Sequence, residues 1–197
     1  MKLALTFDDG PSQWTPAVLD LLREHDARAT FFLIGARVQE RPDAVRQIAA
    51  EGHEVGSHTM THPRLTEIGD EDVRREILDG AHAVAEVLGE RPSLFRAPGF
   101  HADDRVLAIV AELELDPVFA DVDPQDWRPG MDSHRIFGHS FVGCRHGAII
   151  DLHDGYPPPP TRSREDCTPT VEALNHLLPV LVAEGYELVT VSELRAG

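Results

Sequence analysis

The chain is poor in cysteine, poor in positive charge and free of long apolar runs, and each shortage removes a class of protein. Two cysteines among 197 residues, Cys144 and Cys167, are too few for a disulfide framework and lack the Cys-x-x-Cys spacing of a redox or zinc motif. They read as ordinary residues. Eighteen Lys plus Arg against 34 Asp plus Glu leave a formal net charge of -16, which repels polyphosphate and anionic lipid and offers no basic stripe. Nucleic acid is therefore not expected as a partner, and the acidity reads as a solvated, self-repelling surface. No apolar run approaches the ~20 residues that cross a bilayer, so no membrane span is expected. The opening MKLALTFDDG lacks the apolar region and small-residue cleavage site of an export signal. If Met1 is the native start, that points to the cytoplasm. Neither GxGxxG nor GxxxxGK[ST] follows the first apolar run, which removes the usual nucleotide-binding reading of an α/β chain.

What is present is an alternation. Length and even composition predict one domain over residues 1–197. Seven short segments rich in β-branched, aromatic and aliphatic residues read as buried parallel strands: KLALTF, ATFFLIG, HEVGSH, SLFRAP, PVFADV, GAIIDLH and YELVTV. Between them TPAVLDLLREH, RPDAVRQIAAEG, DEDVRREILDGAHAVAEVLG, DDRVLAIVAELEL and TPTVEALNHLLPVLVAEG repeat apolar residues at helical spacing. Repeated βα units give an open doubly wound sheet or a closed barrel. Polar clusters at the C-terminal ends of several strands favour the barrel, where those ends converge on one mouth. YPPPP at 156–160 reads as a stiff surface loop.

The polar clusters carry the chemistry. GSHTMTHP places His58 and His62 four residues apart, and a helical turn there would set both imidazoles on one face, close enough to share a cation. TFDDGP ends the first strand with Asp8 and Asp9. Alternation along a strand turns neighbouring side chains to opposite faces, so one carboxylate is expected to complete a His, His, Asp site suited to a catalytic divalent ion, and the other to stay free as a base. A polar Asp-Asp-Gly-Pro turn explains Gly10 and Pro11 but not Asp8 within the strand end. FRAPGF ends the fourth strand with Arg96, able to orient a carboxylate through parallel hydrogen bonds. DVDPQDW spaces Asp121 and Asp123 like a calcium loop, but the sixth position is Asp126 instead of Gly and the twelfth Asp132 instead of Glu, which rejects it. IIDLHD ends the sixth strand with His153 and Asp154, and a histidine of ordinary pKa ~6.5 can donate a proton. His25, His53, His82, His101, His134, His139, His146 and His176 have no such context and read as surface or core residues. Trp14 is placed over the mouth.

In order, TFDDGP, HxxxHP, RxP, DxxDW and the histidine of LHD resemble the five motifs of the polysaccharide deacetylases, the NodB homology domain of carbohydrate esterase family 4. The resemblance runs from Thr6 to Asp154, and GYELVTVSEL is similar to the way these domains finish. It implies a NodB-like, distorted (β/α) barrel of about seven parallel strands. It implies a metal-dependent hydrolase that removes acetyl groups from N-acetylated amino sugars of peptidoglycan or chitin-like glycans, with an acetylated carbohydrate as partner. Carried over by position, Asp9, His58 and His62 would bind the divalent cation, zinc first, with cobalt or nickel as alternatives. Asp8 would be the base, Arg96 would hold it, and Asp126 would set the protonation of His153, the acid. Trp127, Gly99, Phe100 and Asp151 would belong to the substrate pocket. Two departures stand out: Gly99 and Phe100 replace the family's aromatic-glycine pair, and Asp151 replaces a leucine that packs on the acetyl methyl. A carboxylate there costs desolvation unless paired, so it is expected either to turn toward a cation or donor or to signal another acyl group. The same machinery on O-acetyl esters or small amides is the second reading, and a non-catalytic carbohydrate-binding module the third. The family often works outside the cytoplasm, against the missing export signal. Oligomeric state is not implied.

Overall fold

A computed structural model describes residues 1–157 and 166–197; Pro158 to Pro160 of the predicted proline loop lie outside the described residues. The chain begins with β1 (Lys2–Asp8), α1 (Thr15–Glu24), β2 (Ala29–Leu33), α2 (Gly35–Glu40), α3 (Pro42–Ala50), β3 (Glu54–Ser57), α4 (Asp70–Leu88), β4 (Leu94–Phe95) and α5 (Asp104–Glu112). It continues through β5 (Asp116–Pro117), α6 (Ser133–Gly143), β6 (Ile149–His153), α7 (Thr168–Ala183), β7 (Glu187–Leu188) and α8 (Val191–Arg195). Each expected segment contributes a strand, but β4, β5 and β7 are only two residues long, and β5 meets the expected PVFADV segment at Pro117 alone. α2 is too short at six residues to show a helical period, and α6 buries only Ile136 and Ser140, too little for a stripe. α8 hides at the end of an expected strand segment, and its capping box of Thr190 and Glu193 is the signal that marks it.

The strands are parallel in the order β5-β4-β3-β2-β1-β6, with β7 paired to Lys2 and Leu3 at the start of β1. Just beyond β5, Val122 bridges Ile150 of β6, so the two edges of the sheet meet and the sheet curls into a barrel. Period-two alternation then sorts β1 into two faces. Leu3, Leu5 and Phe7 point outward into a cluster with Leu19 and Leu22 of α1 and Leu174 and Leu178 of α7, each such side chain contributing about 1.5–3 kcal/mol by burial. Ala4, Thr6 and Asp8 take the inner face. Ala4 packs with Phe32, Leu94, Val118 and Ile149 at the base of the barrel, whereas the upper interior holds Thr6, Asp8, Arg96 and Asp151, all at most 3% exposed. Charge inside the barrel is tolerable only where it is paired, and that pairing builds the site.

One close approach positions the site as well. A Cβ on Gly80 of α4 would fall 2.5 Å from the carbonyl carbon and 2.6 Å from the oxygen of Thr59, in the loop between His58 and His62. Gly80→Ala is expected to destabilise the protein by about 1–3 kcal/mol through this overlap. The measurement is the urea midpoint, which should fall at unchanged m-value.

Candidate active site

β1 ends at Asp8, and Asp9 beyond it has φ 71°, a left-handed conformation that re-aims the chain. Both carboxylates consequently approach His58: Asp8 Oδ2 lies 3.7 Å and Asp9 Oδ1 3.5 Å from its Nε2. This corrects the expectation of opposite faces, because alternation governs only residues inside the strand. The segment from His58 to His62 is also not a helical turn but a loop, with Thr59 at φ 66° and His62 at φ 64°. The two rings nevertheless meet edge to face with centroids 5.0 Å apart.

Asp9, His58 and His62 each turn one ligand atom inward, all within 4.8 Å of one another. Asp9 Oδ1 is buried and has no hydrogen-bond partner, although His62 Nε2 is 3.2 Å away. An orphaned acceptor of this kind costs about 1–3 kcal/mol, and a cation would satisfy it. His58 Nδ1 sits 2.8 Å from the carbonyl oxygen of Arg96. That oxygen only accepts, so Nδ1 carries the proton and Nε2 offers its lone pair to the site. Burial outweighs the nearby charge of Asp9 and lowers the His62 pKa to about 4, leaving the ring neutral, the state in which it ligates. Two imidazoles and one carboxylate suit a divalent cation.

Beneath this group lies Arg96, fully buried. Its Nη1 donates to Asp8 Oδ1 at 2.8 Å, Asp151 Oδ1 at 2.9 Å and Thr6 Oγ1 at 2.8 Å. The guanidinium stacks 4.1 Å from the Phe32 ring and 5.4 Å from that of Phe100. Asp151 is thus turned toward a donor, the first of the two expectations for a carboxylate at that position. Burial works to raise the Asp8 pKa, but Arg96, His58 and His153 outweigh it and hold Asp8 below its ordinary value. Burial and the charge of Asp8 push Asp151 well above the usual carboxylate range. The environment therefore separates two carboxyls that share one cation. Asp8, Asp151 and His153 also offer three ligand atoms within 4.8 Å, but Arg96 already supplies positive charge to both carboxylates. Thr6 opens the TFDDGP motif, but nothing in that motif announces its bond to Arg96.

Across the cavity, His153 Nδ1 is 2.8 Å from Asp126 Oδ1. Asp126 Oδ2 accepts from the His153 main-chain N–H at 2.9 Å and from Thr170 Oγ1 at 2.8 Å. Burial disfavours a charged ring, but Asp126 and Asp151 together hold the His153 pKa well above 6.5. With Nδ1 committed to Asp126, Nε2 is the nitrogen left for proton transfer. Thr170 stands on α7, beyond the last motif, and only the tertiary contact identifies it.

These groups face one cavity of about 380 Å³, lined by every residue that sequence places in the site except Arg96, which lies below it. His101, which had no motif context, lines it too, as does Tyr156. Trp14 does not line it; it packs edge-on against Tyr156 with centroids 5.8 Å apart. Gly99 and Phe100 both have left-handed backbone, φ 59° and 58°, and the Phe100 N–H is taken by the Ala97 carbonyl at 2.9 Å.

Residues 1–118 match the family model described as polysaccharide deacetylase. The chain is 46% identical over 191 residues to a chitooligosaccharide deacetylase of Bradyrhizobium sp. (strain ANU 289), covering 93% of this chain and 86% of that protein. It is 43% identical over 196 residues to a peptidoglycan-N-acetylglucosamine deacetylase of Bacillus cereus, covering 98% and 87%. Among solved structures, the peptidoglycan deacetylase PdaC of Bacillus subtilis superposes with a TM-score of 0.88 at 32% identity, over 99% of this chain and 90% of that one.

Proposed function

Because the chain belongs to the polysaccharide deacetylase family, we propose that it hydrolyses the N-acetyl groups of N-acetylglucosamine units in a glycan, with a divalent cation, zinc in the first instance, held by Asp9, His58 and His62. The observation that carries this reading is the orphaned Oδ1 of Asp9 facing two imidazoles, with a low-pKa carboxylate and a high-pKa histidine on the same cavity. N-acetylglucosamine is the unit shared by the chitooligosaccharide and peptidoglycan relatives.

When bound, the cation supplies Lewis acidity at the acetyl carbonyl and eases deprotonation of water. Asp8, ionised and aligned by Arg96, takes a proton from water as its oxygen attacks the acetyl carbon. The Gly99 N–H is the main-chain donor at the cavity wall suited to the developing oxyanion, the next N–H being already bonded. Collapse of the tetrahedral intermediate breaks the C–N bond, and His153 gives its Nε2 proton to the departing amine, which otherwise leaves poorly. Acetate and a free amino sugar result. Trp127 and Phe100 line the cavity and are assigned to the sugar ring, against which an aromatic face would pack.

The test is acetate release from N-acetylglucosamine oligomers by chelated protein, before and after zinc, cobalt or nickel is restored. Release that depends on the added ion is the expected result. Release only from O-acetylated glycans would transfer the reading to esters, and release unaffected by chelation would end the metal assignment.

A further inference from the structure

The loop that carries His58 and His62 does not hold itself. Thr59 and His62 both sit in the left-handed region, φ 66° and 64°, where a non-glycine residue costs about 1–3 kcal/mol and persists only if its surroundings over-determine it. The intervening main chain is instead gripped from two sides. At the start of α2, the N–H groups of Gly35 and Ala36 donate to the carbonyls of Thr59 and Met60 at 2.9 and 3.0 Å. From α4, Glu76 does the rest. Its Oε2 accepts from the Met60 and Thr61 N–H groups at 3.1 and 2.8 Å, and its Oε1 accepts from Thr61 Oγ1 at 2.7 Å. Its own carbonyl accepts from the Met60 N–H at 2.9 Å. Gly80, one turn further along α4, allows the approach that brings Glu76 within reach. Glu76 touches none of Asp9, His58 and His62 and does not line the cavity. Everything it binds lies between the two histidines.

We propose that Glu76 is a positioning residue for the divalent cation, fixing the main chain between His58 and His62 so that both Nε2 atoms face Asp9 Oδ1 before the ion arrives. The inference rests on the reading of those three residues as the cation site. Its physical content is pre-organisation: a loop held in place before binding does not have to be ordered at the expense of affinity. A carboxylate suits the task because it takes three donors at once, and charge strengthens each bond.

The test is titration of the chelated protein with cobalt, followed by the visible absorption of the bound ion and by competition with a chromophoric chelator. Glu76→Ala is expected to weaken cobalt binding about tenfold or more, in the range seen when outer partners of metal ligands are removed. Glu76→Gln, which keeps the shape and one strong acceptor, should weaken it less, and Thr61→Val, which removes a single bond, least. Absorption bands should keep their positions, since the ligands are unchanged. Urea unfolding of the metal-free variants is run alongside. A purely structural Glu76 would lower the urea midpoint and leave cobalt affinity at the wild-type value, which overturns the proposal. Should Glu76→Ala not fold, the order of Gln and Val against wild type decides the matter by the same criterion. No cobalt uptake by the wild type would instead remove the cation site itself, a failure distinct from wild-type binding with unaffected variants.

Discussion

Asp8→Asn is expected to cut acetate release by about a thousandfold, within the range by which a positioned general base accelerates proton transfer, while divalent-cation affinity stays close to that of the wild type. The amide keeps the shape of the side chain and an oxygen for the Arg96 Nη1 hydrogen bond now made at 2.8 Å. What it cannot do is take a proton. The substitution should also leave the fold intact, for a reason specific to this site. Arg96 is fully buried and is shared with Asp151 at 2.9 Å, and the charge of Asp8 is one cause, after burial, of the raised Asp151 pKa. Once Asp8 is neutral, Asp151 ionises more readily and balances the guanidinium, so the variant avoids an unpaired buried charge. The readouts are kcat on an N-acetylglucosamine oligomer and a cobalt titration of the same preparation. Loss of the ion together with activity would sink the assignment, since Asp8 Oδ2 is only 3.7 Å from His58 Nε2 and would then be acting as a ligand.

Asp126→Asn should lower kcat by about a hundredfold, the lower end of what acid catalysis supplies, and move the alkaline limb of the pH–rate profile to lower pH. His153 acts protonated, so the rate holds below its pKa and falls as pH rises through it. Burial opposes the charged ring, and Asp126 is the first of the groups that raise its pKa above 6.5. Without that charge the ring loses its proton sooner. The acid limb belongs to Asp8, which must be ionised and which Arg96 still holds low, so that limb should not move. Stability gives an independent readout with a definite sign. A histidine whose folded pKa is raised contributes stability in full below its unfolded value near 6.5 and loses it as pH rises through the folded value. The loss of stability in Asp126→Asn is therefore greatest below about pH 6.5 and shrinks at alkaline pH. An alkaline limb left in place, in a variant with altered kcat and retained cation, would exclude His153 as the proton donor.

Residues far apart in the chain entered the site unequally well from sequence. Asp8, Asp9, His58, His62 and His153 stand in short patterns at strand ends, where few residue types serve the chemistry, and so they were legible. Thr6, Thr170 and Glu76 were not. Each acts through hydrogen bonds to another segment of the chain: Thr6 to Arg96 at 2.8 Å, Thr170 to Asp126 at 2.8 Å, and the Glu76 carboxylate to Met60 and Thr61 at 2.7 to 3.1 Å. A lone threonine on a strand or glutamate on a helix has no local signature of such a role. The paired aspartates mark the same boundary. Alternation predicts opposite faces for Asp8 and Asp9, but φ 71° at Asp9 overrides it; Asp-Gly-Pro announces a turn without saying where the Asp9 side chain is aimed.

Sequence alone determined the elements that depend on local physics: the apolar runs of the central strands and the amphipathic helices between them, the absence of a nucleotide-loop motif, and which titratable residues lie at the strand ends. Apolar periodicity and residue chemistry are written residue by residue, so they survive without coordinates. Tertiary structure alone decided that Arg96 serves two carboxylates, one of them Asp151, and that a loop and not a helical turn brings His58 to His62. These are matters of which groups share a buried space, and the energy of a buried charge is set by the partners that folding delivers to it.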